Sequence, residues 1–247
     1  MYSAQQSEQS SILCFKVYNN DMSAKELFIR YLIMVPGVFV LAFGIAFITK
    51  AGLGTSPISS IPYTLSLIIP SVTLGEFTII VNVLIVVAEV VILWGKPGSI
   101  MGRAAGKALP WPEAVVQILL SFALGYCLDL SMWLLKWFDP HNYPMQIAFV
   151  VIGCCIMAFG IYIQLIANVA MAPGDALARS IAAVTGKSYS TIRVISDASM
   201  VTFSAILCLI FLHALTGVRE GTVICAILTG NVIRVYKKIL PFGSKSS

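Results

Sequence analysis

Six stretches of this chain, at about 29–50, 74–95, 113–136, 144–168, 189–214 and 218–236, are apolar almost throughout. A helix that crosses a bilayer needs about 20 such residues. Hydrocarbon offers no water to backbone N–H and C=O groups, so a chain of this kind must close those bonds within itself, and helices do so. Only 11% of the residues are charged and 58% are hydrophobic, with mean hydropathy +0.91. A soluble domain carries about 25% charge. The predicted class is therefore all-α, a polytopic membrane helix bundle.

The chain also says a similar thing twice. Residues 42–57 read AFGIAFITKAGLGTSP and residues 158–175 read AFGIYIQLIANVAMAPGD. Each copy ends an apolar run, breaks at a Gly/Pro-rich turn and enters a short, weakly polar segment, at about 57–70 and 174–186. A 14-residue helix covers about 21 Å, less than the ~30 Å hydrocarbon core. These segments are thus expected to be re-entrant, half-helical or buried by their neighbours. The echo continues downstream, where Thr73–Asn82 (TLGEFTIIVN) aligns with Ser188–Asp197 (SYSTIRVISD). Interrupted hydrophobic segments at matching places in two halves point to a transport-type site between membrane repeats. A duplicated bundle without cargo carries the same signature. The expected organisation is a tail over 1–28, repeat 1 over 29–136 and repeat 2 over 144–240. These make about six spanning helices plus two short segments, arranged as inverted repeats.

Charge placement sets the orientation. With six spans and the N-terminus inside, only Lys50, Lys136 and Arg219 of the 16 Lys and Arg fall outside. If both short segments crossed, Lys96, Arg103 and Lys107 would move outside, against the positive-inside rule. Both termini are therefore expected on the cytoplasmic side. The tail has no signal-peptide pattern. Its Ser23-Ala-Lys-Glu26 has the form of a capping box opening the first helix.

Other chemistries find little support. The six cysteines, at 14, 127, 154, 155, 208 and 225, show no metal-ligand spacing, and five lie in apolar runs, where Cys acts as a small hydrophobe. His141 and His213 stand at the ends of apolar runs. Trp94, Trp133, Trp137 and Tyr143 fit an interfacial belt. No nucleophile–base set, P-loop or dinucleotide motif is present, so no enzyme and no cofactor is expected. Net charge +5 follows from the inside loops and gives no reason to expect nucleic acid.

An ionisable residue within a span costs about 2.5–3.5 kcal/mol on insertion scales, so each needs a reason. They are Glu76, Glu89, Asp129, Asp175, Arg179, Arg193, Asp197 and Arg234, with Asn82 and Asn168 as neutral companions. In Gly52-Leu-Gly-Thr-Ser-Pro57, Thr55 or Ser56 suits a helix cap and Pro57 its first turn. Asp175 is the expected cap of the second copy. A helix start at this depth favours an anion or polar group. Arg193 and Asp197, like Arg179 and Asp175, are spaced i, i+4 and can pair. Such pairs serve a substrate site or helix packing equally well. Glu76 suits a helix start. Glu89 shares a face with Asn82. Gly125 lets a neighbouring helix come close beside Asp129. Gly230 and Arg234 stand in matching places, which raises a cross-repeat Asp129–Arg234 pair against a plain cytoplasmic end for Arg234.

The turn GLGTSP, the Pro-Gly-Asp-Ala-Leu of the second copy, TGKSYSTIRVISD, and Gly221-Thr222 followed by Gly230 together resemble the YczE-type integral membrane proteins, relatives of the YitT-type bacterial proteins. The resemblance covers roughly 30–240 and marks Gly52, Gly54, Thr55, Pro57, Asp175, Arg193, Asp197, Gly221 and Thr222. It implies a bacterial cytoplasmic membrane protein. One departure is visible: Glu113-Ala114 stands where the family's first repeat tends to carry Gly-Thr.

The functional expectation is a secondary transporter or exporter of a small solute. Gly52, Gly54, Thr55, Ser56, Asp175, Arg179, Arg193 and Asp197 would form the substrate site, and Glu89 and Asp129 are candidates for proton or ion coupling. The expected partners are the lipid bilayer, a small-molecule or ion substrate and a second copy in a homodimer. The alternative is a non-transporting assembly, sensor or scaffold protein.

Overall fold

Apolar length dictates most of the helices seen in the computed structural model, which describes residues 24–94, 111–140, 142–167, 172–214 and 217–239. The tail's capping Ser23, the loop with Lys96, Arg103 and Lys107, and His141 and Asn168 lie outside the described residues. Helix α1 spans Ala24–Lys50. A 3₁₀ turn, Pro57–Ser59, leads into α2, Ser60–Ile68. Then come α3 (Leu74–Trp94), α4 (Trp111–Leu134), α5 (Tyr143–Ala167), the short α6 (Pro173–Thr185), α7 (Tyr189–Leu207) with a π turn over Cys208–Leu212, and α8 (Glu220–Ile239). No strand occurs among the described residues.

Five segments are long and apolar enough to cross a membrane: Phe28–Lys50, Leu74–Leu93, Ala114–Leu134, Tyr143–Ala167 and Tyr189–Leu212. These are the helices of a multi-pass membrane protein. The sixth expected run is a 20-residue helix, α8, but it is not among the five. Glu220, Asn231, Arg234, Lys237 and Lys238 dilute its apolar character. Large apolar side chains stand on outer faces, including Leu84, Val91, Leu119 and Val194, each more than 60% exposed. Such faces suit lipid rather than water.

The centre of the bundle is the antiparallel pair α1 and α5. Small residues let the two backbones touch, as membrane helices require when no hydrophobic force drives them together. A Cβ on Gly44 would land on the backbone of Met157, and one on Gly160 on the backbone of Leu41. Gly37 sits against Ile163, and Gly153 against Ile48. Gly44 and Gly160 belong to the two copies of Ala-Phe-Gly in the echo, and Leu41 and Met157 stand equally far apart in the sequence. Around this pair Leu41, Ile45, Ile48, Leu128, Val150 and Met157 form the main core, flanked by the ring cluster Phe47, Phe138 and Phe149.

The remaining packings come in matching sets. Helix α4 lies on α1 and α8 on α5. The short α2 packs on α3 and α7, and the short α6 packs on α7 and α3. One set is broken. Helices α3 and α4 meet closely where Gly75 and Gly125 face each other, as the sequence implied for Gly125. Helices α7 and α8 have no comparably extensive contact, and Gly230 has open space beside it.

Candidate functional site

The Gly-rich turn after α1 is built on backbone that only glycine adopts readily. Gly52 and Gly54 have φ of 75° and 103°. The side chains that follow turn inward. Thr55 and Ser56 are buried, but neither caps a helix through its side chain. The Thr55 hydroxyl meets that of Thr49 at 3.0 Å, and Thr49 donates to the Ile45 carbonyl at 2.8 Å. Thr55 thus ties the turn back to α1. Ser56 donates to the Ser59 hydroxyl, and Ser60 to the Pro57 carbonyl. The start of α8 sits on this turn. Gly221 N donates to the Leu53 carbonyl at 2.9 Å, and Arg219 Nη1 to the Gly52 carbonyl at 3.3 Å. A Cβ on Gly54 would meet the Thr222 hydroxyl at 2.5 Å, and one on Gly221 the Leu53 carbonyl at 2.6 Å. The two glycine motifs, distant in sequence, are therefore two sides of one contact.

A charge cluster joins α6 to α7. Asp175 is not the cap of α6, as spacing suggested. Ala172 holds that position, Pro173 opens the helix, and Asp175 falls in the first turn, where a carboxylate suits the positive end of the dipole. From there it reaches across to Arg193 of α7. Arg193 Nε also meets Asp197 Oδ2 at 3.3 Å, the expected i, i+4 pair. Tyr189 completes the group, accepting from Arg193 Nη1 at 3.2 Å and donating to Asp175 Oδ1 at 3.4 Å. Sequence reasoning did not select Tyr189, though it lies one helical turn before Arg193. The three charged side chains remain 27–34% exposed. Two carboxylates thus share one guanidinium, a formal surplus of one negative charge among these three side chains.

A deeper set of polar contacts links each short helix to a long one. Glu89 of α3 is buried, on one face with buried Thr78 and Asn82, and accepts from Ser180 of α6 at 2.8 Å. Arg179, the neighbour of Ser180 on α6, is also buried. On the opposite side Thr64 of α2 meets Ser204 of α7 at 2.7 Å, and Ser204 donates to the Ser60 carbonyl at 2.9 Å. Thr64 also meets Cys208 at 3.3 Å. Glu89 and Ser204 lie equally far beyond the aligned starts Thr73 and Ser188. The two bonds therefore occupy corresponding places, with a carboxylate on one side and a hydroxyl on the other.

Asp129 serves the N-terminus of α3. Thr73 and Glu76 form a capping box, Thr73 N donating to Glu76 Oε2 and Glu76 N to the Thr73 hydroxyl. Asp129 adds two more acceptors, for the Thr73 hydroxyl at 2.7 Å and Gly75 N at 2.8 Å. With Thr73, Leu74, Met132, Trp133 and Lys136 it lines an open surface recess of about 310 Å³. Arg234 donates to Asn231 on its own helix, so the geometry supports no Asp129–Arg234 pair. Asp129→Ala is expected to lower stability by about 1–2 kcal/mol, the scale of a lost cap. Thermal melting would show it, and adding Thr73→Ala should cost less than its separate effect, because Asp129 accepts from the Thr73 hydroxyl and the two act as one cap. An unchanged melting point for Asp129→Ala would count against the capping role.

The sequence matches, over residues 28–238, a family described as a family of unknown function (DUF6198). The chain belongs to this family. The match runs from the first apolar helix to the end of α8, so the turn, the charge cluster, the buried polar contacts and the capped α3 all lie inside the family domain. No curated protein and no solved structure matches the chain.

Proposed function

We propose that this member of the DUF6198 family is a small secondary transporter or exporter of the bacterial cytoplasmic membrane, with both termini on the cytoplasmic side. It is read as two inverted repeats, 29–136 and 144–240, akin to the YczE and YitT proteins. One observation carries the reading: each half places its short helix against a long helix of the other, closed by polar bonds at corresponding positions, Thr64–Ser204 and Ser180–Glu89. Short helices crossing between halves at membrane depth are where secondary transporters hold solute. Intramembrane charge at such a place marks function by default.

In this reading Asp175, Arg193 and Asp197 contact the solute, with Tyr189 holding their geometry. The surplus carboxylate favours a cationic or protonatable solute. Arg179 lines the deeper end, and Glu89, buried against α6, is the coupling carboxylate. Gly52, Gly54, Thr55 and Ser56 shape the opposite turn, and Asp129 holds α3 in place. A screen of the purified protein against metabolites and ions by thermal shift should find a stabilising ligand, and Asp175→Asn or Asp197→Asn should remove its effect. Alanine at either position is expected to abolish uptake of that solute into vesicles, at least tenfold, while the protein stays folded. Transport persisting in both variants would overturn the site assignment.

The second reading is a scaffold or assembly protein. The closed network of Arg193 with Asp175, Asp197 and Tyr189 favours it, since each charge already has a partner within the protein. Under that reading the same variants lower expression and melting temperature, and no ligand stabilises the protein.

A further inference from the structure

Two cysteines that sequence spacing passes over as small hydrophobes meet between α5 and α8. Cys154 and Cys225 have no exposed surface, and their Sγ atoms stand 2.9 Å apart. That is inside the ~3.5–4.0 Å at which even carbon atoms rest in contact. It is outside the 2.03–2.05 Å of a disulfide bond. Both are free thiols, and the nearest sulfur on each side needs only a short approach to bond.

The position gives such a bond a consequence. Helix α8 has no extensive packing on α7, and its main packing is on α5. Its start sits on the Gly52–Gly54 turn through Gly221 and Arg219. Its far end rests on α5, where the Tyr236 hydroxyl donates to the Cys155 carbonyl at 3.4 Å and its ring meets Phe159. Cys225 lies between these two attachments, facing α5.

We propose that Cys154 and Cys225 are a redox pair, and that their oxidation locks α8 onto α5. The oxidant is an apolar two-electron acceptor of the quinone class, able to enter the bilayer. Each thiol gives up one proton, the sulfurs join, and the two electrons and two protons convert the quinone to its hydroquinone. A dithiol reductant reverses the step by exchange. The disulfide limits the unfolded and partly opened states of the chain and so raises stability.

The test uses the full chain in lipid vesicles, treated with duroquinone, whose fully methylated ring resists addition of thiols. After denaturation the alkylatable thiols should fall from six to four per chain. Peptide mapping should find Cys154 joined to Cys225, and the melting temperature should rise and return on reduction. Cys154→Ser and Cys225→Ser should begin with one thiol fewer and lose none further. Six thiols remaining in the treated wild type, or a bond mapped to any other pair, would overturn the proposal. If the serine variants do not fold, the wild-type mapping alone decides.

Discussion

Valine at Gly44 or Gly160 is expected to leave almost no folded protein in the membrane. A Cβ at Gly44 would stand 2.5 Å from Met157 N and 2.6 Å from Met157 Cα, and one at Gly160 would meet Leu41 N and Cα as closely. These are backbone atoms, which cannot turn aside as a side chain can. The helices would have to separate along the central contact of the bundle. Overpacking costs about 1–3 kcal/mol where the surroundings yield. Here they do not, and valine adds two methyl groups to the alanine clash. A loss above ~3 kcal/mol is expected, against a total stability of ~5–15 kcal/mol. Gly230→Ala is the matched control. Nothing lies within 4 Å of a Cβ there, so it should be neutral or stabilising by up to ~1 kcal/mol. Yield of monodisperse protein and thermal melting measure all three. Wild-type behaviour in Gly44→Val would show that α1 and α5 do not meet as described.

Neutralising Arg193 is expected to have the next largest effect. Arg193→Gln leaves Asp175 and Asp197 facing each other without the cation that bridges them. Removing one partner of a fully buried pair costs about 3–5 kcal/mol, but these side chains keep roughly a third of their surface open, and solvent screens them, so about 2 kcal/mol is expected. The informative variant is the triple, Asp175→Asn with Arg193→Gln and Asp197→Asn. It removes every charge of the cluster together and should recover most of the lost stability. Its function then separates the two readings. A transporter whose solute is held by these charges remains inactive although it melts like wild type. A scaffold held together by them regains its role along with its stability. Failure of the triple variant to recover any stability would mean that the three charges do not act as one network.

How much of this was legible beforehand can be judged element by element. The boundaries of α3, α5 and α6, and of α7 taken together with its π turn, lie within a residue or two of the apolar runs and short segments read from composition, because helix length in a bilayer is a local property of apolar chain and of the turns that end it. The Arg193–Asp197 pair was legible for the same reason, since both residues lie on one helix. Asp175 was singled out as a charge needing a reason but assigned the wrong local role, because a cap is judged from neighbours in sequence while its partner came from the next helix. The Phe-Gly repeated in both copies of the echo carried a signal for the central contact that spacing alone left silent.

The sequence by itself determined a multi-pass helical bundle, the two interrupted short segments and the set of charged residues that needed a reason to be where they are. These follow from the free energy of placing apolar length and charge in hydrocarbon, which depends on composition residue by residue. Only the tertiary structure decided that Gly221 sits on the Gly52–Gly54 turn, that Ser180 serves Glu89, that Asp129 caps α3 and that Cys154 meets Cys225. Those contacts depend on which faces of separate helices come together. That choice is set by glycine-lined close approach and by side-chain reach across tens to more than a hundred residues, and no local pattern encodes it.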